Sequence, residues 1–248
     1  MVTPRVRLVS AATVLRRLGP HLREDGVLPV LASCVDWTAR WAAGAPRAHG
    51  PASRTFRYEG RDVPYFWHRY NHTWLTERAV EVALAREVLV GSGPRTLEVG
   101  NVLAHYLPTT HLVVDKYETA PGVRNTDVVD LELDEPMDLI LSISTLEHVG
   151  LDEPELDPGK AGRGIERLAG LLAPGGRLWV TIPVGYNLHL DRQLRAGELP
   201  FTRCTALKRV SARNEWQQVE LEQVWDTPYD RLLYTAHGLV VAELVRSP

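Results

Sequence analysis

The stretch Arg95-Thr-Leu-Glu-Val-Gly-Asn101 decides the fold, together with Val113-Val-Asp115, whose aspartate comes fourteen residues after Asn101. Each stretch is a short apolar run that ends in a polar turn, with a glycine in the first and a carboxylate in the second. In an α/β sheet, this pattern indicates two strands whose carboxyl ends open a nucleotide pocket. Gly100 lets the backbone turn close to a ligand, and Asp115 stands where a carboxylate accepts ribose hydroxyls. The sequence therefore predicts an α/β fold with a nucleotide site at this edge.

Composition excludes several classes of protein. The 248 residues, 44% hydrophobic and 24% charged, suffice for one substantial domain with an appendage. A net charge of -3 gives no reason to expect a nucleic-acid partner. Cys34 and Cys204 lack the spacing of a disulfide framework or a zinc site, and no apolar run is long enough for a membrane span. We expect a cytoplasmic protein without a metal, a membrane partner or a nucleic-acid partner; the oligomeric state stays open.

Residues 1–72 do not share the pattern of the sheet, and we expect them to form an N-terminal helical and hairpin extension. Its patterned stretches are helices over 11–23 and 29–43, a Pro- and Gly-rich linker over 44–53, and a hairpin over 55–66 that turns at Glu59-Gly60. The segment Tyr65-Phe-Trp-His-Arg-Tyr-Asn71 is dense in aromatic and polar groups. These side chains either seal the extension to the next domain or line the roof of a pocket as a lid.

From residue 73 onwards, helical and strand patterns alternate as in an α/β domain. A helix over 73–90, capped by Asn71 or Thr73, leads into the sheet. Five parallel strands are predicted over 96–99, 111–115, 126–131, 137–144 and 177–183, with a helix over 161–172 and closing strands over 219–224 and 238–245. We therefore expect an extension over 1–72 and a catalytic domain over 73–248.

Four motifs in this order carry a family resemblance. They are Leu97-Glu-Val-Gly100, Val113-Val-Asp115, Asp138-Leu-Ile-Leu-Ser-Ile-Ser-Thr-Leu-Glu-His-Val149 and Leu171-Leu-Ala-Pro-Gly-Gly-Arg-Leu178. Over about residues 95–187, the chain resembles the class I S-adenosylmethionine-dependent methyltransferases. The likeness is to small-molecule and sugar methyltransferases of bacterial polysaccharide and natural-product biosynthesis. It implies a Rossmann-like, mostly parallel sheet flanked by helices, and S-adenosyl-L-methionine as cofactor.

The resemblance also implies residue roles. Glu98, Gly100 and Asn101 would lie near the methionine part of the cofactor, Asp115 with Lys116 at the ribose, Asp127 and Val128 at the adenine, and Ser144 and Thr145 at the sulfonium. Glu147 and His148 would face the acceptor, and Tyr70, Asn71, Tyr186 and Asn187 would contact it. One departure is that Val102 and Ala104 stand where the family usually has glycine, which affects the expected loop geometry.

Methyl transfer mainly needs donor and acceptor to be aligned and water to be excluded, and a hydroxyl acceptor also benefits from a base. His148 is the first candidate for this base and His189 the second, although either histidine can be purely structural. The aromatic side chains of the extension suit a polar, neutral acceptor such as a sugar hydroxyl. We therefore expect a methyltransferase that acts on a small polar molecule, a carbohydrate or sugar-containing metabolite.

Other functions fit the residues less well. A nicotinamide-dependent oxidoreductase would show three glycines in its phosphate turn, where this loop has one, and a hydrolase would show a Gly-x-Ser-x-Gly elbow. His68 and His72 have metal-ligand spacing, but Arg69 replaces the catalytic glutamate of that motif. A non-catalytic cofactor-binding or scaffolding protein of the same fold stays open as an alternative.

Overall fold

The computed structural model describes residues 22–24, 26–44 and 54–247. Of the linker predicted over 44–53, only Gly44 lies within these ranges, where it ends a helix, and of the helix predicted over 11–23 only residues 22 and 23 do. The described residues form twelve strands: β1 (Thr55–Tyr58), β2 (Arg61–Pro64), β3 (Thr96–Val99), β4 (Leu112–Val114), β5 (Val123–Arg124), β6 (Met137–Ile143), β7 (Leu172–Pro183), β8 (Arg203–Arg209), β9 (Trp216–Val219), β10 (Tyr229–Asp230), β11 (Thr235–Ala236) and β12 (Gly238–Val245). The α-helices within these ranges that exceed one turn are α1 (Val27–Gly44), α2 (Arg78–Leu89), α3 (Lys160–Gly170) and α4 (Leu188–Ala196).

The central sheet has eight strands in the order β5-β4-β3-β6-β7-β12-β8-β9. Strands β5, β4, β3, β6 and β7 are parallel, and β12 enters antiparallel between β7 and β8. The chain runs outward from β3 to β5 and then returns to β6 on the other side of β3. A doubly wound sheet binds ligands at such a reversal, outside the carboxyl ends of its strands. The predicted α/β fold with a Rossmann-like, mostly parallel sheet is confirmed.

Helices and the first hairpin cover the two faces of the sheet. On one face, Ile165 and Leu168 of α3 and Leu190 of α4 are buried in a core with β3, β6 and β7. On the other face, α2 shares a core with the sheet and the hairpin β1–β2, which also contacts β8 and β9, and residues 79–85 of α2 are all buried. The central strands are therefore packed on both faces of the sheet.

The hairpin β1–β2 turns at Glu59 and Gly60, whose φ angles of 50° and 77° fit a type I′ turn. The predicted hairpin and its turn are confirmed. Its inward residues Phe56, Tyr58 and Val63 share a core with α2 and the sheet. The division of the chain at residue 72 stays a prediction.

Three predicted elements differ from the structure. The third strand was expected over 126–131, but β5 is shorter and earlier, and Asp127 caps a 3-10 helix, Val128–Asp130, by accepting from Val129 N. Residues 219–224 do not form a closing strand, since β9 ends at Val219 and a 3-10 turn follows. The helix expected from residue 73 begins at Arg78, because Thr76 is extended and separates it from a 3-10 segment, Tyr70–Leu75; its N-cap is Glu77 and neither of the predicted caps, Asn71 and Thr73.

Helix α1, predicted over 29–43 and confirmed, packs on this 3-10 segment. The rings of Trp37 and Trp41 meet His72 edge-on at centroid distances of 5.7 and 6.1 Å, and Trp41 Nε1 donates to His72 Nδ1 at 3.2 Å. Over the described residues, no helix combines the length and the apolarity needed to cross a membrane.

Candidate active site

A cavity of about 330 Å³ opens at the carboxyl ends of β3, β4 and β6. It contains six of the predicted cofactor residues and the first candidate base. Its walls include Gly100, Asp115, Lys116, Asp127, Val128, Thr145, His148, Asp152 and Glu153. The cavity therefore lies where the strand order places a nucleotide site.

Gly100 shapes the floor of this cavity. Its φ is +89°, a conformation that favours glycine. A Cβ at this position would lie 2.1 Å from Thr145 Oγ1, so a side chain would collide with the turn after β6. The close approach of the two strand ends therefore requires glycine here.

Glu98 braces the loop after β3 from below. Its buried carboxylate accepts from Val102 N at 2.9 Å and Leu103 N at 2.8 Å, and its other oxygen lies 2.8 Å from His111 Nε2. Both oxygens are thus used within the protein, and Glu98 does not line the cavity. Val102 has an ordinary φ of -92°, so the position does not need the glycine that the family resemblance leads one to expect.

Asp115 lines one side of the cavity, and Asn101, which does not line it, is hydrogen-bonded to Asp115. Asp115 accepts from Tyr117 N and Glu118 N at 2.9 and 2.7 Å through one oxygen, and from Asn101 N at 3.2 Å through the other. Asn101 donates from Nδ2 to Glu118 at 2.7 Å, while its buried Oδ1 has no hydrogen-bond partner among the described residues. The carboxylate is therefore held in a fixed orientation, and Asn101 Oδ1 is left with unused acceptor capacity.

Two lysines and two carboxylates form a four-charge cluster at the opposite end of the cavity. Lys116 Nζ lies 2.8 Å from Asp127 and 2.6 Å from Glu153, and Lys160 Nζ lies 2.6 Å from each. Burial opposes the ionisation of Asp127 and Glu153, but the two ammonium groups outweigh it and lower the pKa of both carboxyls. Asp127 is therefore ionised and fixed, and Val128 beside it offers an apolar wall.

His148 begins a hydrogen-bonded chain at the cavity rim. Its Nδ1 lies 2.5 Å from Asp152 Oδ2, which also accepts from the Tyr186 hydroxyl at 2.6 Å, and Tyr186 OH lies 2.9 Å from Tyr234 OH. Burial lowers the pKa of His148, while Asp152 acts in the opposite direction. The aspartate favours the tautomer with the proton on Nδ1, which leaves the Nε2 lone pair free.

Glu147 lies behind His148 within a buried group of charged residues. Its Oε1 is 3.5 Å from His148 Nε2, and its buried Oε2 has no hydrogen-bond partner within the described part of the chain. Burial raises the pKa of Glu147 well above its ordinary value. Arg78 and Glu81 of α2 form a 2.6 Å ion pair nearby.

Ser144 and Thr145 follow β6, and their side chains have different surroundings. Ser144 has a left-handed φ of 39°, and its hydroxyl donates to the buried Glu81, which also accepts from Thr181 Oγ1 at 2.7 Å. Thr145 lines the cavity in its place. The predicted contact of Ser144 with the cofactor stays a prediction, but the side chain in reach is that of Thr145.

Tyr186, Asn187 and His189 lie after β7 with different surroundings. The ring of Tyr186 meets His148 at 4.5 Å. Asn187 caps α4 by accepting from His189 N and Leu190 N, and it donates from Nδ2 to Glu147 O at 3.0 Å. His189 is half-buried in the first turn of α4, does not line the cavity, and has Arg192 at 3.4 Å from its ring nitrogen.

Tyr70 and Asn71 bring the extension to the loop after β3. Tyr70 stacks on His105 with ring centroids 4.4 Å apart, and Asn71 hydrogen-bonds the Tyr106 phenol. His105 in turn lies 3.1 Å from Glu118, the partner of Asn101. None of the four predicted acceptor residues lines the cavity itself; Tyr186 contacts the lining residue His148, and Tyr70 contacts the loop after β3.

Several residues of the site escaped prediction. Asp152 follows His148 by four residues, a spacing that could have indicated the pair. Arg78, Glu81 and Glu118 have no sequence signal, because the tertiary fold alone brings them to the strand ends. No cluster of three or more His, Cys, Asp or Glu side chains that could hold a metal ion occurs in the described ranges.

Comparisons with known proteins give matches only among solved structures. No family model and no curated protein matches the chain. The N-methyltransferase NodS of Bradyrhizobium japonicum, solved with S-adenosyl-L-homocysteine, is 15% identical over 69% of this chain and 87% of that chain, with a TM-score of 0.41. Two further solved structures match the chain at similarly low sequence identity.

One is a methyltransferase of Clostridium acetobutylicum, described as S-adenosylmethionine-dependent. It is 10% identical over 66% of this chain and 89% of that chain, with a TM-score of 0.35. The other is the magnesium protoporphyrin IX methyltransferase of Synechocystis with bound S-adenosylmethionine, 16% identical over 68% of this chain and 76% of that chain, also at 0.35. All three are methyltransferases. At this similarity, a function for this chain depends on its own site.

Proposed function

We propose that the protein is a class I methyltransferase that uses S-adenosyl-L-methionine to methylate a hydroxyl of a small polar molecule, a sugar or sugar-containing metabolite. The observation that carries this proposal is that one cavity contains both a carboxylate suited to bind the cofactor and a histidine suited to act as a base. Asp115, a fixed carboxylate, stands at the end of β4, and His148, a histidine with a free Nε2, stands across from it after β6.

The residues of the cavity fit the cofactor. Asp115 keeps acceptor capacity for the two ribose hydroxyls, and the unpartnered Oδ1 of Asn101 accepts from the ammonium of the methionine part. Asp127 and Val128 flank the adenine, and Thr145 beside Gly100 faces the sulfonium region. The cofactor supplies a methyl group on a positively charged sulfur, which is a good leaving group.

His148 acts as the base. Its lowered pKa keeps it neutral near pH 7, and the hydrogen bond to Asp152 directs the Nε2 lone pair away from that residue. The acceptor hydroxyl gives its proton to Nε2 as its oxygen gains the methyl group. The buried surroundings of the turn after β6 exclude water from this step.

The acceptor lies between the turn after β6 and the extension. Tyr70, Asn71 and Tyr186 present aromatic faces and hydrogen-bonding groups there, a combination that suits the C–H faces and hydroxyls of a sugar. In this proposal, helix α1 with Tyr70 and Asn71, which belong to the extension predicted over residues 1–72, forms a lid over the domain predicted over residues 73–248.

Titration calorimetry with S-adenosylmethionine and S-adenosylhomocysteine tests the cofactor site. We expect binding of both, weakened about 10- to 100-fold in Asp115→Asn, because a charged acceptor of hydrogen bonds is lost while the shape is kept. Absence of heat with the parent protein would overturn the proposal. Unchanged affinity in the variant would place the ribose elsewhere.

A screen of sugars and sugar metabolites for transfer of labelled methyl groups tests the reaction. Transfer that falls in His148→Ala, with cofactor affinity unchanged, supports the base. Cofactor binding without transfer to any extract metabolite would favour the alternative of a non-catalytic binding protein.

A further inference from the structure

We propose that the acceptor carries an amino group beside the hydroxyl that is methylated, and that the buried carboxylate of Glu147 binds this group as an ammonium ion. The inference deepens the proposed function and rests on it. It replaces the neutral acceptor expected from the aromatic extension with an amino sugar or a similar vicinal amino alcohol.

The position of Glu147 gives the first argument. The residue is 1% exposed, and its Oε2 has no hydrogen-bond partner within the described residues. An unpaired buried carboxylate oxygen is costly, which makes it a natural place for a ligand donor. Its other oxygen lies 3.5 Å from His148 Nε2, so a group bound to Glu147 is a neighbour of the hydroxyl at His148.

The balance of buried charge gives the second argument. Glu77, Glu81 and Glu147 all interact with Arg78, which pairs with Glu81 at 2.6 Å, and Glu77 also interacts with Arg209. Glu81 also accepts from two hydroxyls, and Glu77 accepts from Ala236 N at 3.0 Å. Glu147 thus has no cationic partner of its own among these groups, and a ligand ammonium would supply one.

The protonation state of Glu147 agrees with the binding of a ligand ammonium. Burial first, and then the charge of Glu81, raises the pKa of Glu147, so the unpaired group favours its neutral form. A neighbouring ammonium stabilises the carboxylate and restores the charge. An acceptor that carries only hydroxyls does not provide this compensation.

Aromatic rings beside Glu147 give the third argument. Tyr186, Tyr229 and Tyr234 meet one another edge-on, at centroid distances of 4.9 to 5.9 Å. Burial raises the pKa of the Tyr229 phenol, and the charges of Glu77 and Glu147 act in the same direction. Tyrosine faces attract ammonium groups electrostatically.

The test compares matched pairs of acceptors on protein saturated with S-adenosylhomocysteine. Glucosamine and glucose form one pair, and galactosamine and galactose form the other, with binding measured by calorimetry. We expect each amino sugar to bind at least about tenfold more tightly than its hydroxyl counterpart, as for a charge-assisted contact. Glu147→Gln should remove this preference, whereas the exposed control Glu155→Gln should retain it.

The outcomes separate the two proposals. S-adenosylhomocysteine binding and the melting temperature report whether Glu147→Gln folds, and the comparison on the parent protein does not depend on that variant. Equal binding within each pair, no binding of either amino sugar, or a preference that persists in Glu147→Gln would overturn the ammonium site. Failure of S-adenosylhomocysteine to bind the parent protein would instead overturn the methyltransferase proposal itself.

Discussion

Asp152 shows how one side chain sets the chemistry of its neighbour. The carboxylate lies 2.5 Å from His148 Nδ1 and raises the pKa of the imidazole against the lowering effect of burial. It therefore holds the tautomer and increases the basicity of Nε2. Neither effect requires Asp152 to touch the acceptor, so it is a positioning residue.

We predict that Asp152→Asn lowers the plateau rate of methyl transfer about 10- to 100-fold, since a weaker and less oriented base remains. A base must be deprotonated, so activity falls as the pH drops through the His148 pKa. Without the carboxylate this pKa decreases, and the acidic limb of the profile moves to lower pH. The pH dependence of kcat in parent and variant checks both effects; an unshifted limb would contradict the role of Asp152.

At the scale of elements, strands with continuous apolar runs were predictable from the sequence. Thr96–Val99, Met137–Ile143 and Gly238–Val245 are examples, because burial on both faces selects apolar residues at successive positions. β8 was not predicted, since only two of its seven residues, Ala206 and Leu207, are buried. The third strand was misplaced because apolar Val128 and Val129 pack from a 3-10 turn.

The sequence pattern locates strand ends but does not give the direction of side chains in the turns that follow them. The cavity positions of Gly100 and Asp115 follow from their place at strand ends, whereas Asp127 reaches the cavity from a 3-10 turn that the sequence did not predict. The direction of a side chain in an irregular turn does not follow, because it depends on backbone angles such as the left-handed φ of Ser144. Long-range contacts, such as that of α2 with the turn after β6, leave no local pattern.

The contact between α2 and β11 makes stability depend on pH. Glu77 accepts from Ala236 N at 3.0 Å, and burial, followed by the charge of Glu81, raises its pKa from 4.5 to about 7. The folded state therefore holds a proton that the unfolded chain releases near pH 4.5. The stability that this proton provides is complete below about pH 4.5 and is lost as the pH rises to about 7.

We predict that the free energy of unfolding falls with rising pH by about 1 to 3 kcal/mol less in Glu77→Gln than in the parent protein. Glutamine keeps the acceptor oxygen but has no titrating proton. Urea unfolding between pH 5 and pH 8 measures the difference. The raised pKa of Glu147 also lowers the free energy of unfolding as the pH rises, but Glu147 is present in both proteins and does not affect their difference. The control Glu155→Gln should follow the parent curve; parallel curves for parent and Glu77→Gln would show that Glu77 does not titrate in this range.

At the scale of the whole molecule, the extension divides into two parts with different roles. The hairpin β1–β2 is buried against α2 and the sheet, so it belongs to the core. Helix α1 instead exposes Leu28, Leu31 and Val35 and contacts the 3-10 segment after the hairpin. That segment carries Tyr70 and Asn71 to the loop after β3, so α1 is linked to the cavity through a single short stretch.

The last prediction concerns this link. Deleting residues 1–50 should leave S-adenosylhomocysteine affinity nearly unchanged, because the residues that line the cavity all come from positions 99–153. Methyl transfer should fall at least about tenfold, since Trp37 and Trp41 no longer hold His72, and the left-handed backbone of Asn71 and His72 loses its support. Calorimetry and transfer of labelled methyl groups measure the two effects.

A full-length Trp41→Ala variant is the matched control for this deletion. It removes the 3.2 Å hydrogen bond to His72 Nδ1 and leaves the rest of α1 in place, so it should raise the KM for the acceptor more than it lowers kcat. The melting temperature shows whether either protein has lost its core, which the buried hairpin should preserve. A truncated protein that methylates its acceptor at the parent rate would show that α1 has no part in the lid, and that Tyr70 and Asn71 keep their positions through the contacts with His105 and Tyr106 alone.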